Sequence, residues 1–341
     1  MIIEGQILTG PEFIVREGRV VVEDGRISAV EEADVESEDI VFPAFVNAHA
    51  HVGDSIAKEA GRGLDLEALV APPDGLKHRL LAEAGVEEQI AAMERSLSFM
   101  QQSGTGTVVD FREEGIAGVK ALRRAAEGLD IEALAFGRGD PAVLEMADGF
   151  GASGTNDGDF EAARAAAAGA GKPFAIHAGE QDASDIDAAL ALEPDHLVHM
   201  VHADREHLER VADRGIPIVV SPRSNLVTGV GLPSVSTLRE YTTVALGTDN
   251  VMLNSPSMFR EMEFLAKCCD LPAPAVLEMA TRAGASVANQ PGGTIRTGEP
   301  ARLVVLDGDT DNLAGYRDPV RAVVRRAGKA DVKRVHLPGN S

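Results

Sequence analysis

The chain has 341 residues, with 54 acidic and 32 basic side chains and a formal net charge of −22. This length allows one large domain with a substantial core, or a barrel with an accessory module. The charge disfavours nucleic acid and anionic membranes as partners, because phosphate groups are bound by Lys and Arg side chains.

Charge distribution and cysteine usage indicate a cell compartment. Seven of the basic residues are lysines, and the acids are spread along the chain. This composition is typical of a cytoplasmic protein from a salt-loving organism, although ordinary acidic proteins from GC-rich genomes share it. Cys268 and Cys269 are adjacent and cannot form a disulfide framework. The N-terminus lacks a signal-peptide pattern, and no window reaches the ~18 apolar residues of a membrane span. We therefore expect a cytoplasmic protein.

Both ends of the chain are predicted to form short strands. The predicted strands are residues 2–8, 12–16, 19–23 and 26–31 at the start, and 301–306, 320–325 and 332–337 at the end. Glu17-Gly18 and Asp24-Gly25 are turn signals between the early strands. We expect residues 1–45 and 296–341 to form one small β-sandwich module.

The middle of the chain, residues 46–295, alternates apolar runs with Ala-rich amphipathic segments. The predicted strands are 41–46, 107–111, 132–136, 146–149, 173–176, 196–198, 217–220 and 243–246, and the predicted helices are 86–103, 117–127, 160–170, 184–192, 205–214, 258–269 and 273–289. Eight strands alternating with helices predict an α/β fold, a (β/α)8 TIM-type barrel. Its chemistry would lie at the carboxyl ends of the strands, under a long loop at residues 54–81.

Residues of metal-binding and acid–base type follow four of the predicted strands. His49 and His51 follow the first, His177 and Glu180 the fifth, His199 the sixth and Asp249 the eighth. Strand residues two apart project to the same side, so His49 and His51 can bind one metal ion together. Imidazole and carboxylate groups suit zinc, and iron is the alternative.

These segments resemble the amidohydrolase superfamily, in the branch of cytosine, guanine and S-adenosylhomocysteine deaminases and related chlorohydrolases. The matching stretches are residues 47–51, 177–180, 199–202, 221–225 and 246–249, and the resemblance spans nearly the whole chain. It implies that His49, His51, His177 and Asp249 bind the metal. It also implies that Glu180 shuttles protons and that His199 orients the substrate and the attacking water.

The residue chemistry agrees with these roles. Three neutral imidazoles and a carboxylate leave room for a water molecule, whose pKa a divalent ion lowers. Asp249 can accept that water's proton, and Glu180 can protonate a ring nitrogen of the substrate. Relatives with two metals usually carry a carboxylated lysine after the fourth strand, whereas residues 148–156 contain none. The resemblance therefore implies a single divalent ion.

His202 competes with His199 for the role after the sixth strand. The spacing from His199 to Ser224 and Asn225 matches the family better, so His199 is preferred. We read His202 as a loop residue near the rim.

Four residues near the predicted strand ends are candidates for substrate binding: Arg112, Arg223, Asn225 and Asn250. With Lys77 in the first long loop, the two arginines would suit a substrate carrying carboxylate or phosphate. The alternative is that these positive groups pair with the many nearby acids, and that Asn250 satisfies loop backbone.

The leading functional hypothesis is a mononuclear metal hydrolase that deaminates a purine- or pyrimidine-like heterocycle, as base or nucleoside, and releases ammonia. The same residues could instead open a cyclic amide or imidazolone, or displace chloride. A non-catalytic barrel that binds a metabolite is a third alternative. By resemblance, a homodimer is expected.

Overall fold

The computed structural model describes residues 1–71 and 74–338. Pro72-Pro73 of the predicted first loop and residues 339–341 of the predicted C-terminal segment lie outside the described residues. The strands are β1 (Ile2–Thr9), β2 (Ile14–Glu23), β3 (Arg26–Glu32), β4 (Ile40–Pro43), β5 (Phe45–His51), β6 (Thr105–Arg112), β7 (Glu132–Gly137), β8 (Gly149–Ala152), β9 (Phe174–Ala178), β10 (His196–His199), β11 (Ile218–Val220), β12 (Val244–Leu246), β13 (Asp249–Asn250), β14 (Leu303–Leu306) and β15 (Val332–His336).

The helices between these strands are mostly short. They are α1 (Leu66–Val70), α2 (Leu76–Glu83), α3 (Val86–Gln102), α4 (Gly115–Ala126), α5 (Glu161–Ala170), α6 (Ile186–Ala191), α7 (Arg205–Arg214), α8 (Pro222–Thr228), α9 (Val235–Tyr241), α10 (Met258–Cys268), α11 (Ala273–Ala280), α12 (Arg282–Val287) and α13 (Pro319–Arg325). None of the helices described is long and apolar enough to cross a membrane.

The larger sheet is parallel, with the strand order β12-β11-β10-β9-β8-β7-β6-β5-β13. Only Gly247 and Thr248 separate β12 from β13, which pairs with β5. The last strand of the barrel, β13, therefore lies beside its first strand, β5. This arrangement fits the predicted TIM-type barrel.

Alternating side chains divide the core of the barrel into two parts. On β6, Val109 and Phe111 pack with apolar residues of the other barrel strands, whereas Val108 packs into the larger core formed with the helices. Side chains of neighbouring strand residues point to opposite faces, which explains this division. On α3, Met93 and Leu97 are four residues apart and so share the buried stripe of an amphipathic helix.

The second sheet joins the two ends of the chain, in the order β15-β14-β4-β1-β2-β3. Strands β1 and β4 are parallel, and the other neighbours are antiparallel. Ile7, Val41 and Leu303 belong to its core. The two ends of the chain thus share one mixed sheet, which fits the predicted β module, whereas its sandwich form and its bounds stay predictions.

Several predicted elements were wrong in detail. The Glu17-Gly18 turn is absent because β2 continues through it, and a Cβ atom at Gly18 would lie 1.9 Å from the Glu31 carbonyl oxygen. The predicted strand 320–325 is helix α13, because Asp318 accepts a hydrogen bond from the Arg321 amide and Pro319 starts the first turn. The predicted fourth strand, 146–149, begins later as β8.

Two of the longer predicted elements are each divided into two elements in the structure. The apolar run 41–46 is shared by β4 of the small sheet and β5 of the barrel, with Ala44 between them. The predicted helix 273–289 is interrupted at Thr281, whose backbone leaves the helical region with φ −130° and ψ −91°.

A buried acid on α10, Glu261, faces an arginine of α8. The Glu261 side chain is fully buried, and its Oε2 atom lies 3.6 Å from Arg223 Nε. Burial raises the pKa of Glu261 to about 8, against the opposing charge of Arg223. The folded protein therefore favours the protonated acid more strongly than the unfolded chain does.

We predict that Glu261→Gln changes the pH dependence of stability. Because the folded-state pKa lies above the unfolded one, stabilisation by Glu261 is full below the unfolded pKa and is lost as pH rises through about 8. Urea unfolding measures the difference in the free energy of unfolding between the wild type and the variant. This difference should change by ~3 kcal/mol, to the disadvantage of the wild type, between about pH 5 and pH 9. Parallel pH profiles for the two proteins would contradict this prediction.

Candidate metal centre and active site

Four predicted metal ligands converge at the carboxyl ends of the barrel strands. His49 and His51 lie on β5, His177 on β9 and Asp249 on β13, and one ligand atom of each lies within 4.8 Å of the others. The Oδ1 atom of Asp249 is 3.2 Å from His49 Nε2 and 3.5 Å from His51 Nε2. The structure brings together all four residues of the predicted ligand set.

The histidine rings are neutral, and a hydrogen bond fixes the orientation of the His177 ring. Burial lowers the pKa of His51 to about 3, with a further contribution from Lys77, and burial also lowers the pKa of His49 and His177. His177 Nδ1 donates to the Ala152 carbonyl oxygen at 2.8 Å, which leaves its Nε2 lone pair free. Neutral imidazoles with a free nitrogen are suitable metal ligands.

The donor set fits a divalent ion. Three imidazoles and one carboxylate form a ligand set that zinc accepts, and a supporting hydrogen bond to the other ring nitrogen is typical of such sites. Asp249 carries the negative charge: burial opposes its ionisation, but the hydrogen bond from His49 holds its pKa well below the ordinary value. We infer that this cluster can hold one such ion.

The Asp249 carboxylate is oriented from two sides. Ser224 Oγ donates to its Oδ2 atom at 2.6 Å, and Asn250 Nδ2 donates to its Oδ1 atom at 3.1 Å. The backbone of Asp249 has a φ of +55°, an unfavourable value for a non-glycine residue that is typical of functional sites. Ser224 had no predicted role, although it lies in the motif stretch that suggested Asn225.

A second group of side chains, Glu180, His199 and Asn225, lies next to Asp249. Asn225 Nδ2 is 3.0 Å from His199 Nδ1, so this nitrogen accepts and the opposite Nε2 carries the proton. His199 Nε2 lies 3.4 Å from Glu180 Oε2. Burial raises the pKa of Glu180, and Asp249 adds to the rise against the opposing effect of His199. A raised pKa favours the protonated form of a carboxyl group, and this form suits a proton donor.

His199, rather than His202, is the histidine that faces this group. The His199 side chain is 1% exposed, and the backbone at His199 and Met200 takes left-handed φ values of +79° and +52°. That conformation turns the chain sharply at the end of β10. His202 is exposed and lies outside the cavity lining.

A buried charge cluster supports His51 from behind. Glu113 Oε1 lies 3.2 Å from His51 Nδ1 and 2.6 Å from Lys77 Nζ, and Glu113 Oε2 accepts from Arg112 Nη2 at 2.8 Å. Burial opposes ionisation of Glu113, but Lys77 and Arg112 hold its pKa well below the ordinary value. A carboxylate behind a histidine ligand orients the ring and raises its basicity. Glu113 had no predicted role, although it adjoins Arg112 after the second barrel strand.

A cavity of about 380 Å³ opens above these residues. It is lined by the candidate ligands His51, His177 and Asp249, by Glu180 and His199, and by Lys77, Arg138 and Asn250 among others. This volume lies at the lower end of ligand pockets, which span ~300–1,000 Å³.

Of the four predicted substrate-binding residues, Asn250 lines the cavity. Arg112 is 1% exposed and pairs with Asp110 and Glu113, and Asn225 contacts His199 and Glu180. Arg223 donates to Asn254 Oδ1 and to the Ser255 carbonyl oxygen. Contact of all four residues with substrate stays a prediction.

Comparison with known proteins agrees with this geometry. Residues 40–340 match the amidohydrolase family. The chain is 34% identical to a provisionally described aminohydrolase of Methanothermobacter thermautotrophicus, over 94% of this chain and 93% of that protein. It is 28% identical to the 5-methylthioadenosine/S-adenosylhomocysteine deaminase of Halobacterium salinarum, over 99% of this chain and 91% of the relative.

Solved structures show the same fold. Atrazine chlorohydrolase of Arthrobacter aurescens, complexed with zinc, superposes with a TM-score of 0.84 at 19% identity, covering 99% of this chain and 94% of that one. Guanine deaminase of C. acetobutylicum, with bound guanine, gives a TM-score of 0.80 at 15% identity, covering 99% of each. The family match and the relative at 34% identity show that the chain belongs to the amidohydrolase family. It is a hydrolase that acts on C–N bonds, as the sequence predicted.

We predict that Glu113→Gln weakens metal retention, because His51 loses the carboxylate behind its Nδ1 atom. Competition for zinc with a chelator should show that the variant binds zinc with ~10–100-fold lower affinity than the wild type does. Glu113→Asp should restore part of the affinity.

The matched control is Glu278→Gln, which removes a partly exposed acid that pairs with Arg239 away from the site. Its zinc affinity should equal that of the wild type. Equal affinity of Glu113→Gln and the wild type, with unchanged melting temperatures, would show that Glu113 does not support the site.

Proposed function

We propose that this protein is a mononuclear metal-dependent deaminase that hydrolyses an amino group from a purine- or pyrimidine-like heterocycle and releases ammonia. The observation that carries the proposal is the placement of Glu180 and His199 beside Asp249, at the mouth of the candidate metal site. A structural site would need only the ligands, whereas deamination needs separate groups that accept and deliver protons.

The proposed mechanism divides the proton transfers between two carboxylates. A divalent ion in this site, most simply zinc, would polarise a water molecule and lower its pKa. Asp249, held ionised by His49, accepts the proton of the attacking water. Glu180, whose pKa is raised by burial, delivers a proton to the ring nitrogen next to the reacting carbon, and it regains a proton from the hydroxyl group that forms at that carbon. Asp249 passes the proton taken from the water to the departing amine, so the C–N bond breaks, ammonia leaves and both carboxyl groups return to their starting states.

His199 orients the reacting groups in this mechanism. Asn225 Nδ2 donates a hydrogen bond to His199 Nδ1, so the proton of the His199 ring is on Nε2. This N–H group is directed toward Glu180 and the cavity. From this position it can donate a hydrogen bond to the attacking water or to negative charge that develops during attack.

The substrate class follows from cavity size and relatives. A volume of about 380 Å³ suits a heterocyclic base or a similarly small molecule. The names of the Halobacterium relative and of the guanine deaminase structure support an amino-substituted purine-like ring. We infer a heterocyclic amine as the first class to test, as a base and as a nucleoside.

We predict that Glu180→Gln lowers kcat for ammonia release by ~10²–10⁴-fold, because the variant cannot deliver the proton. Screening of heterocyclic amines by ammonia detection identifies a substrate for this measurement. The metal content of the variant should equal that of the wild type, because Glu180 is outside the ligand set. Full activity of Glu180→Gln would exclude the proton-transfer role, and cleavage without ammonia would favour cyclic-amide hydrolysis or chloride displacement.

We also predict that metal removal abolishes activity and lowers the melting temperature. The buried histidines and Asp249 would lose their common partner, and binding to the folded state alone stabilises it. Back-titration with zinc should restore both properties at one ion per chain, measured by elemental analysis. Activity that survives complete chelation would contradict a metal-dependent mechanism.

A further inference from the structure

Two cations line the cavity on the side of His51. Lys77 of α2 and Arg138, which follows β7, both belong to the cavity wall, whereas Arg112 is enclosed by Asp110 and Glu113. The predicted arginines, Arg112 and Arg223, are therefore engaged elsewhere. Lys77, which was predicted together with them, faces the cavity, and Arg138 is a positive group that had no predicted role. Such a pair is notable in a chain with a net charge of −22.

One carboxylate oxygen serves both of these cations and a metal ligand. Glu113 Oε1 lies 2.6 Å from Lys77 Nζ, 3.2 Å from His51 Nδ1 and 3.3 Å from Arg138 Nη1. His51 Nδ1 also lies 3.2 Å from the Phe111 carbonyl oxygen and is not committed to Glu113. Of the two cations, Arg138 makes the longer contact with Glu113 Oε1.

The Arg138 guanidinium has further donors available. Its side chain is 15% exposed, and none of the described residues accepts a hydrogen bond from its Nε or Nη2 atoms. A guanidinium presents its N–H groups as a planar fork that matches a carboxylate. A ligand carboxylate would use these donors and would also share the charge of Lys77.

The other charged side chains of the cavity wall are acidic. Asp157 and Asp185 lie near Glu180, and Asp182 and Glu67 also line the cavity. Like charges there would repel a carboxylate, so an anionic substituent is directed to the end of the cavity formed by Lys77 and Arg138.

The position of this end also limits the size of the substrate. Arg138 and the candidate metal ligand His51 contact the same oxygen of Glu113, at 3.3 Å and 3.2 Å. An anionic group bound there would therefore lie close to the reacting carbon, on the heterocycle itself rather than at the end of a long substituent.

We propose that Arg138, assisted by Lys77, binds a carboxylate carried by the heterocyclic ring of the substrate. The inference rests on the proposed function for the identity of the reaction, but the binding step can be tested without turnover. The substrate class is then a small amino-heterocycle with a ring carboxylate.

The test measures binding of pyrimidine-5-carboxylate and of pyrimidine-5-carboxamide, its neutral counterpart of similar shape, to the zinc-loaded protein by calorimetry. We expect the carboxylate to bind at least ~10-fold more tightly than the amide, and Arg138→Met to reduce this preference to less than ~3-fold. Arg138→Lys, which keeps the charge but loses the fork, should give an intermediate preference.

Arg302→Met is the matched control, because Arg302 is similarly buried at 14% side-chain exposure but binds Thr107 and Glu132 away from the cavity. It should retain the full preference for the carboxylate. Equal binding of the two ligands, or a preference that survives Arg138→Met, would overturn the inference. Failure of the deaminase proposal would appear separately, as no ammonia from any heterocyclic amine while the binding preference persists.

Discussion

Closure of the barrel between β5 and the β12–β13 segment is the constraint on which the site depends. The Asn47 side chain donates to Thr248 Oγ1 at 2.8 Å and accepts from the Thr248 amide at 3.0 Å, and that amide also lies 3.0 Å from the His49 carbonyl oxygen. A Cβ atom at Gly247 would lie 2.7–2.9 Å from atoms of His49. The absence of a side chain at Gly247 thus lets two strands about 200 residues apart approach closely and places Asp249 beside His49.

Burial then gives chemically similar side chains different tasks. The candidate metal-binding histidines are kept neutral by desolvation, and two carboxyl groups in the same cavity have their pKa values moved in opposite directions. Asp249 stays ionised beside His49, whereas Glu180 is favoured in its protonated form. A pair of carboxyl groups separated in this way can act as base and acid at one pH.

The same principle organises the cavity wall. Glu113 is held ionised by Lys77 and Arg112, and it connects this positive cluster to His51. The other charged side chains that line the cavity are acidic. A substrate with one charged group would therefore have a single favourable orientation over the metal site.

Most of the fold followed from the sequence, because apolar periodicity and strand-end residues are local signals. The resemblance to the amidohydrolase superfamily then implied which of the strand-end residues form the ligand set. His49 and His51 were recognisable as a pair by their spacing of two, and Asp249 by its position after the last barrel strand. Other features depend on residues distant in sequence. The β2 strand passes through a turn signal because Glu31 of β3 crowds Gly18, and Lys77 reaches Glu113 only because α2 folds over the barrel. The sequence by itself determined which chemistry is available at the strand ends, whereas the tertiary structure decided which charges face the cavity, since pairing between distant side chains leaves no local pattern.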